Sequence, residues 1–204
     1  MYALVTDNEI TKFINYPKAM VIGDTQYPAK IFQLWSTSEL NAIGIYEVVF
    51  DDSNKKDEQW YINTNITYAF DGTNATGSYG DATAKAHADT TWTQEQIDDG
   101  DAPDGADTDT VATRGLKHNL IQTVKAQAEG ELNRTDWYIT RKSEKNTAIP
   151  SAITTHRDAV RSKQAAMETA ITNASDTPAL ETLYTHTKQE DGSVTRPLGE
   201  IPTL

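Results

Sequence analysis

Carboxylates are concentrated in one short segment of the chain, and cation binding is the first chemistry that they suggest. Residues 89–109 contain eight Asp or Glu and no Lys or Arg. Calcium sites need carboxylates at ordered positions of a loop. Between Asp98 and Asp101 the alternate positions are not oxygen ligands, Pro103 interrupts the segment, and no Glu closes it. The sequence therefore predicts an acidic loop or linker over residues 89–110 and no metal site.

The four histidines give no indication of a metal centre or a general base. They are His87, His118, His156 and His186, and none has a second His or a carboxylate at ligand spacing on one helix face. His156 falls on the apolar stripe of a predicted helix, which favours a structural role. No cofactor is expected.

Motifs of common enzyme classes do not occur in the sequence. The chain has no cysteine, so it has no thiolate nucleophile and no disulfide. It also lacks the G-x-S-x-G, P-loop and Rossmann glycine patterns. The sequence therefore predicts that the chain is not an enzyme and names no catalytic residue.

Tryptophan is the residue type that most strongly suggests contacts with other proteins. Large aromatic side chains fill cores, and they also anchor protein interfaces. Trp92 is the least expected, because it precedes the acidic segment, where no core is predicted. The interface or structural candidates among the four tryptophans are Trp35, Trp92 and Trp137.

The segment Thr135–Trp137 follows a predicted helix and is expected to shape a helical hairpin. Its Thr or Asp can cap a following turn while its Trp packs into the hairpin. Arg157 and Arg161 lie one turn apart on the next helix and project together. They are expected to reach Asp136 or Glu144 and to clamp the hairpin.

The elements that must position these residues differ between the two halves of the chain. Residues 1–88 predict a β-rich module that contains one short helix. Asp7 and Asn8 mark a hairpin turn, Gly23 marks a second one, and Ser36 with Glu39 forms a capping box. Short strands are predicted at Tyr2–Val5, Ile10–Phe13, Ala19–Ile22, Thr25–Tyr27, Ile45–Phe50, Trp60–Ile62, Ile66–Phe70 and Ala75–Tyr79.

The second half has a helical period. Leu116, Leu120, Val124 and Ala128 recur every four residues, which predicts an amphipathic helix. A second helix begins near Pro150 and carries Ile153, Val160 and Met167 at intervals of seven. The two are expected to form a hairpin within a helical module, residues 111–187, followed by a polar tail, residues 188–204. The predicted fold class is α+β.

The charge of the chain limits its partners. The net charge is −12, which disfavours nucleic acid and anionic membrane surfaces. Residues 110–175 are nevertheless net positive, at +4, and the rest of the chain carries −16. This asymmetry can steer a partner or a neighbouring copy, or it can reflect solvated faces. The first residues lack a signal-peptide pattern, so synthesis in a cytoplasm is expected.

Three segments together resemble bacteriophage tail-associated proteins, often described as tail fibre assembly or tail structural proteins. They are the opening MYALVTDNEITKF (1–13), ELNAIGIYEV (39–48), and TDWYITR (135–141) with Pro150 and RDAVR (157–161). The shared order covers roughly residues 1–50 and 115–172.

The resemblance implies a non-enzymatic tail protein whose partners are other phage tail proteins in an oligomeric assembly. The leading expectation is a structural component of the virion at the tail fibre or baseplate, made in the host cytoplasm. The alternative is a tail fibre assembly chaperone that is absent from the mature virion. The resemblance carries over no catalytic or ligand residue.

Overall fold

The chain has a mixed α+β fold, as the sequence predicts. The computed structural model describes residues 1–204. Its contacts divide the chain into two compact units, Met1–Thr83 and Ala84–Leu204. The sequence places the boundary of the β-rich module at residue 88, and the structure places it after Thr83.

Up to this boundary the chain forms nine short strands and two short helices. They are β1 (Tyr2–Thr6), β2 (Glu9–Ile14), β3 (Met20–Ile22), β4 (Thr25–Tyr27), α1 (Ile31–Leu34), α2 (Thr37–Ala42), β5 (Ile45–Asp51), β6 (Tyr61–Ile62), β7 (Thr67–Phe70), β8 (Ala75–Ser78) and β9 (Thr83–Ala84). The predicted strands and α2 are confirmed. Helix α1 is additional, since one helical turn is too short to show an apolar period.

The first hairpin shows how local residue choice sets the backbone. Asp7 and Asn8 both have positive φ, 53° and 64°, as a two-residue hairpin turn requires. β1 and β2 pair antiparallel on either side of it. They form one edge of a five-stranded sheet in the order β2-β1-β5-β8-β7, in which only β5 and β8 are parallel.

One face of this sheet packs against the helices and the β3–β4 hairpin. The core here consists of Ile14, Met20, Ile31, Leu40 and Ile45. Helix α2 contributes Leu40 and begins with the predicted capping box, in which Ser36 and Glu39 satisfy each other's backbone N–H groups. The local capping signal therefore fixes the helix whose apolar residue closes this core.

The opposite face is lined by aromatic rings around small residues. Ala3 and Ala75 are fully buried there. At Gly77 an added Cβ would lie 3.0 Å from ring atoms of both Phe50 and Tyr68, so a side chain there would displace the rings by a few tenths of an ångström. The ring centroids of Phe13 on β2 and Tyr68 on β7 are 4.5 Å apart. These two strands are the outer ones of the sheet, so the sheet is curled.

The second unit contains five helices, four of which have eight or more residues. Its elements are β10 (Thr90–Thr91), α3 (Gln94–Asp98), β11 (Val111–Thr113), α4 (Leu116–Asn133), α5 (Asp136–Lys145), α6 (Ser151–Asn173), α7 (Thr177–Tyr184), β12 (Thr187–Lys188) and β13 (Val194–Thr195). Helices α4 and α6 pack against each other as the predicted hairpin. The expected connection between them contains a further helix, α5.

The acidic segment has more local structure than the predicted loop. β10 and β11 pair antiparallel and close it at its base. Between them, α3 begins with a capping box formed by Thr93 and Gln96. This pair is a recognisable helix start, but the surrounding charge and the nearby Gly and Pro favour a loop when the sequence is read alone.

The C-terminal tail also departs from the expectation that it buries little. Leu198 is 3% exposed and Ile201 is 9% exposed. The Leu198 carbonyl accepts a hydrogen bond of 2.8 Å from the Lys163 ammonium on α6. Two apolar residues in a segment of turns give no periodic signal, so their burial depends on the tertiary fold.

The beginning of α4 is held by the residues just before the acidic segment. The N–H groups of Leu116 and Lys117 donate to the carbonyls of Ala86 and His87. The Asp89 carboxylate accepts from the Gly115 N–H at 2.8 Å and also pairs with the Arg114 guanidinium. These hydrogen bonds lower the pKa of Asp89 below its usual range, and the bond from the Gly115 N–H has the largest effect.

Gly115 is predicted to be required at this junction because an added Cβ would lie 2.3 Å from the backbone of Ala88. Gly115→Ala is expected to lower the free energy of unfolding by about 1–3 kcal/mol, as overpacking does. Gly130→Ala is the matched control inside α4, where no atom lies near the added Cβ. It is expected to raise stability by roughly 0.5–1 kcal/mol. Urea unfolding followed by circular dichroism measures both, and equal shifts would contradict the packing argument.

Candidate protein interaction surface

Arg157 is a buried cation at the junction of three helices. It lies on α6, one turn after Ile153, and its side chain is only 9% exposed. Burial removes the water that would accept hydrogen bonds from a guanidinium and stabilise its charge. Protein groups must therefore supply the acceptors and the counterion. The residues that meet this need belong to the end of α4 and the start of α5.

A single guanidinium nitrogen of Arg157 contacts three oxygens. Nη1 donates to the Leu132 carbonyl at 2.8 Å and to the Thr135 hydroxyl at 2.7 Å. It also lies 2.8 Å from the Asp136 carboxylate, so of the two expected acids, Asp136 and Glu144, Arg157 pairs with the first. Thr135 does not cap α5, because its hydroxyl donates to the Leu132 carbonyl at 2.9 Å. Arg157 therefore fixes where α4 ends and α5 begins.

Arg161 does not share this arrangement, although it lies one turn further along α6. Its side chain is 52% exposed, and it pairs at 3.4 Å with Asp158 on its own helix. One helical turn rotates the side chain by roughly 40° and moves it about 6 Å along the axis, which is enough to leave the junction. The expected clamp thus consists of Arg157 alone.

Helix α5 displays aromatic and basic side chains on its outside. Trp137 is 51% exposed, so the expectation that it packs into the hairpin is wrong. The reason is the additional helix: α5 buries none of its own residues. Trp137 and Tyr138 stack with their centroids 3.7 Å apart, and the Arg141 guanidinium lies over both rings, at 4.7 and 5.2 Å.

Two further cations extend this surface along the helix. Lys142 and Lys145 lie in the last turn of α5, and Lys145 follows Arg141 by one turn. We call the set Trp137, Tyr138, Arg141, Lys142 and Lys145 the aromatic–basic surface. Its three cations form no ion pair within the chain. Its charge is therefore available to a partner.

The other two tryptophan candidates have local partners. Trp35 is half-buried and packs on the core of the first unit, with its ring centroid 5.8 Å from that of Tyr27 in an edge-on arrangement. Trp92 is half-buried. Its backbone N–H donates to the Thr110 carbonyl, which extends the β10–β11 pairing by one residue. Neither presents a continuous surface comparable to that of α5.

His156 lies beside the junction and has few polar partners. Its side chain is 9% exposed, and Nε2 lies 3.8 Å from a Glu131 carboxylate oxygen. That carboxylate already accepts two bonds from Arg134, at 3.0 and 3.1 Å. His156 therefore lies against an occupied acceptor. The structure brings no three His, Asp or Glu side chains into a group that could hold a metal ion.

Comparisons with protein-family models, with curated proteins and with solved structures found no match for this chain. Among the seven helices, none combines the length and the apolar composition that crossing a bilayer requires.

Arg157→Ala is predicted to destabilise the second unit by about 2–4 kcal/mol, because it removes a buried side chain and leaves its acceptors with fewer donors. Arg161→Ala on the same helix removes an exposed ion pair and is expected to cost less than about 0.5 kcal/mol. Chemical unfolding of the two variants against the unmodified chain gives the difference. Equal costs would mean that the junction does not depend on Arg157.

Trp137→Ala is predicted to change the free energy of unfolding by less than about 1 kcal/mol, because half of the side chain is already in water. Trp60→Ala is the comparison, since Trp60 is 3% exposed. Its truncation is expected to cost about 3–5 kcal/mol. Thermal unfolding of the two variants tests this, and a large loss at Trp137 would show that the residue belongs to the core.

Proposed function

We propose that this chain is a non-enzymatic structural component of a bacteriophage tail, at the tail fibre or baseplate, that acts through protein–protein contacts. The resemblance of residues 1–50 and 115–172 to tail-associated proteins supports the proposal. TDWYITR and RDAVR are part of that resemblance, and they supply Asp136, Trp137, Arg141 and Arg157. The same segments therefore carry the resemblance, the clamp and the exposed surface.

The observation that carries the proposal is the aromatic–basic surface on a helix of fixed position. Trp, Tyr and Arg are the residues most enriched where protein partners bind. Here one of each lies stacked together, with Trp137 half exposed, on a helix whose first residue is bound by Arg157. A surface held in place before binding loses less entropy when a partner docks.

The first unit offers a second surface, which exposes aromatic rings without the cations of α5. Phe13 is 38% exposed and Phe50 is 41% exposed at the rim of the aromatic face of the curled sheet. Both rings contact Tyr68, so they are supported from within the sheet. Exposed rings that are supported in this way are suited to docking, and one neighbour per unit is the arrangement that a connecting tail component needs.

Quantitative mass spectrometry of purified particles tests the proposal. The protein is expected at a constant ratio to known tail proteins after repeated purification of the phage that carries this sequence. Particles made with Trp137→Ala/Arg141→Ala in place of the natural chain are expected to contain less of it. The matched control is Lys12→Ala, an exposed position of β2 outside both surfaces.

Absence of the protein from infectious particles would contradict the structural role. If the particles also fail to assemble without the protein, that result would favour an assembly chaperone.

A further inference from the structure

The cations of α5 remain unneutralised although acidic residues are abundant in the chain. Arg141, Lys142 and Lys145 form no ion pair, and the Arg141 guanidinium lies over two rings, with its Nε buried and without a hydrogen-bond partner. The guanidinium donors of Arg141 are therefore unused. A carboxylate is the acceptor that best matches a guanidinium fork.

The same unit exposes carboxylates that are equally unpaired. All eight acidic residues of the segment 89–109 are exposed, and only Asp89 forms an ion pair, with Arg114. On α3, Glu95 and Asp99 lie one turn apart, with Asp98 beside them. Three carboxylates thus lie along one helical turn.

The two sets match in spacing as well as in sign. Arg141 and Lys145 are separated by four residues on α5, as are Glu95 and Asp99 at α3, which corresponds to about 6 Å along a helix. Lys142 and Asp98 lie next to these pairs. Both sets carry three like charges, so placing one against the other neutralises both.

We infer that the aromatic–basic surface of α5 binds the acidic segment, residues 89–109, of a second copy of this chain. The inference rests on the proposed role as an assembly component. Each copy carries both surfaces, so two copies either pair reciprocally in a closed two-fold dimer or join head-to-tail, which leaves one free surface of each kind. Head-to-tail contacts produce rings when the rotation closes and open filaments when it does not.

The net charge of −12 opposes association at a distance, while the local charges favour it at contact. At about 0.15 M salt the Debye length is about 8 Å, so the long-range repulsion is screened. Ion pairs at the contact are much shorter than this length. Self-association is therefore expected at moderate ionic strength.

Sedimentation velocity over a roughly hundredfold concentration series at about 0.15 M salt tests the inference, since mass action drives association upward with concentration. The intact chain is expected to form dimers and larger species. Arg141→Glu/Lys142→Glu removes the basic surface, and Asp98→Lys/Asp99→Lys removes the acidic one. Each variant alone is expected to be monomeric, with an unchanged circular dichroism spectrum.

Mixing the two variants distinguishes this contact from a general effect of charge. One variant retains the acidic segment and the other retains the α5 surface, and the two reversed surfaces also complement each other, so the mixture is expected to associate although neither variant does so alone. Lys12→Glu/Lys188→Glu changes the net charge by the same amount as Arg141→Glu/Lys142→Glu, but at exposed positions of β2 and β12. This control is expected to associate as the intact chain does.

Three results would overturn the inference: an intact chain that stays monomeric, charge variants that associate normally, or a mixture that forms no dimer. A monomeric chain that is nevertheless found in particles would reject the inference and leave the proposed function in place. Self-association of a chain that is absent from particles would reject the proposed function and leave the contact between copies in place.

Discussion

Burial of the Arg157 guanidinium is the constraint on which the helical unit depends. A charge that is largely removed from water requires acceptors at hydrogen-bond distance, and the Leu132 carbonyl, Thr135 and Asp136 provide them from two other helices. This requirement specifies geometry more than it adds stability. Asp136 is half exposed, so water competes for it, whereas Thr135 is 1% exposed and must keep its bonds. These contacts hold the end of α4 and the start of α5 against α6.

The first unit depends on a different constraint, the close approach of rings to backbone. A chain without cysteine must obtain its stability from packing and hydrogen bonds. At Ala3, Ala75 and Gly77 the side chains are small or absent, so aromatic rings from neighbouring strands can lie directly on the sheet. The outer strands then meet through Phe13 and Tyr68. The small residues are thus what leaves room for the rings between the strands of the curled sheet.

Charge separation within the second unit connects its structure to assembly. The carboxylates of the acidic segment and the two lysines of α5 are exposed, Arg141 is half-buried, and apart from Asp89 with Arg114 none of these groups forms an ion pair. Surface charges that find no partner in their own chain contribute little to stability, and their main effect is on association. The aromatic rings beneath Arg141 add apolar area to the same surface. Selective contact with acidic segments is the property that this combination favours.

Local signals in the sequence determine much of the secondary structure. The turn at Asp7 and Asn8, the capping box of Ser36 with Glu39 and the four-residue apolar spacing of α4 depend only on residues that are near one another in the chain. Helix α5 also has such signals, with an acid in its first turn, bases in its last turn and a left-handed Asn146 at its end. Because the segment has no apolar stripe, these end signals alone do not lead to the prediction of a helix.

The tertiary structure alone decides which side chains are buried. The sequence expects Arg157 and Arg161 to reach Asp136 or Glu144, and the structure pairs only Arg157 with Asp136. The sequence also expects Trp137 to pack into the hairpin, whereas the structure exposes it, and it expects the tail to bury little, whereas Leu198 is buried. Burial depends on the element that packs opposite, which lies far away in sequence. The residue type determines which contacts a side chain can form. The packing around the side chain determines whether those contacts stabilise the core or are available to a partner.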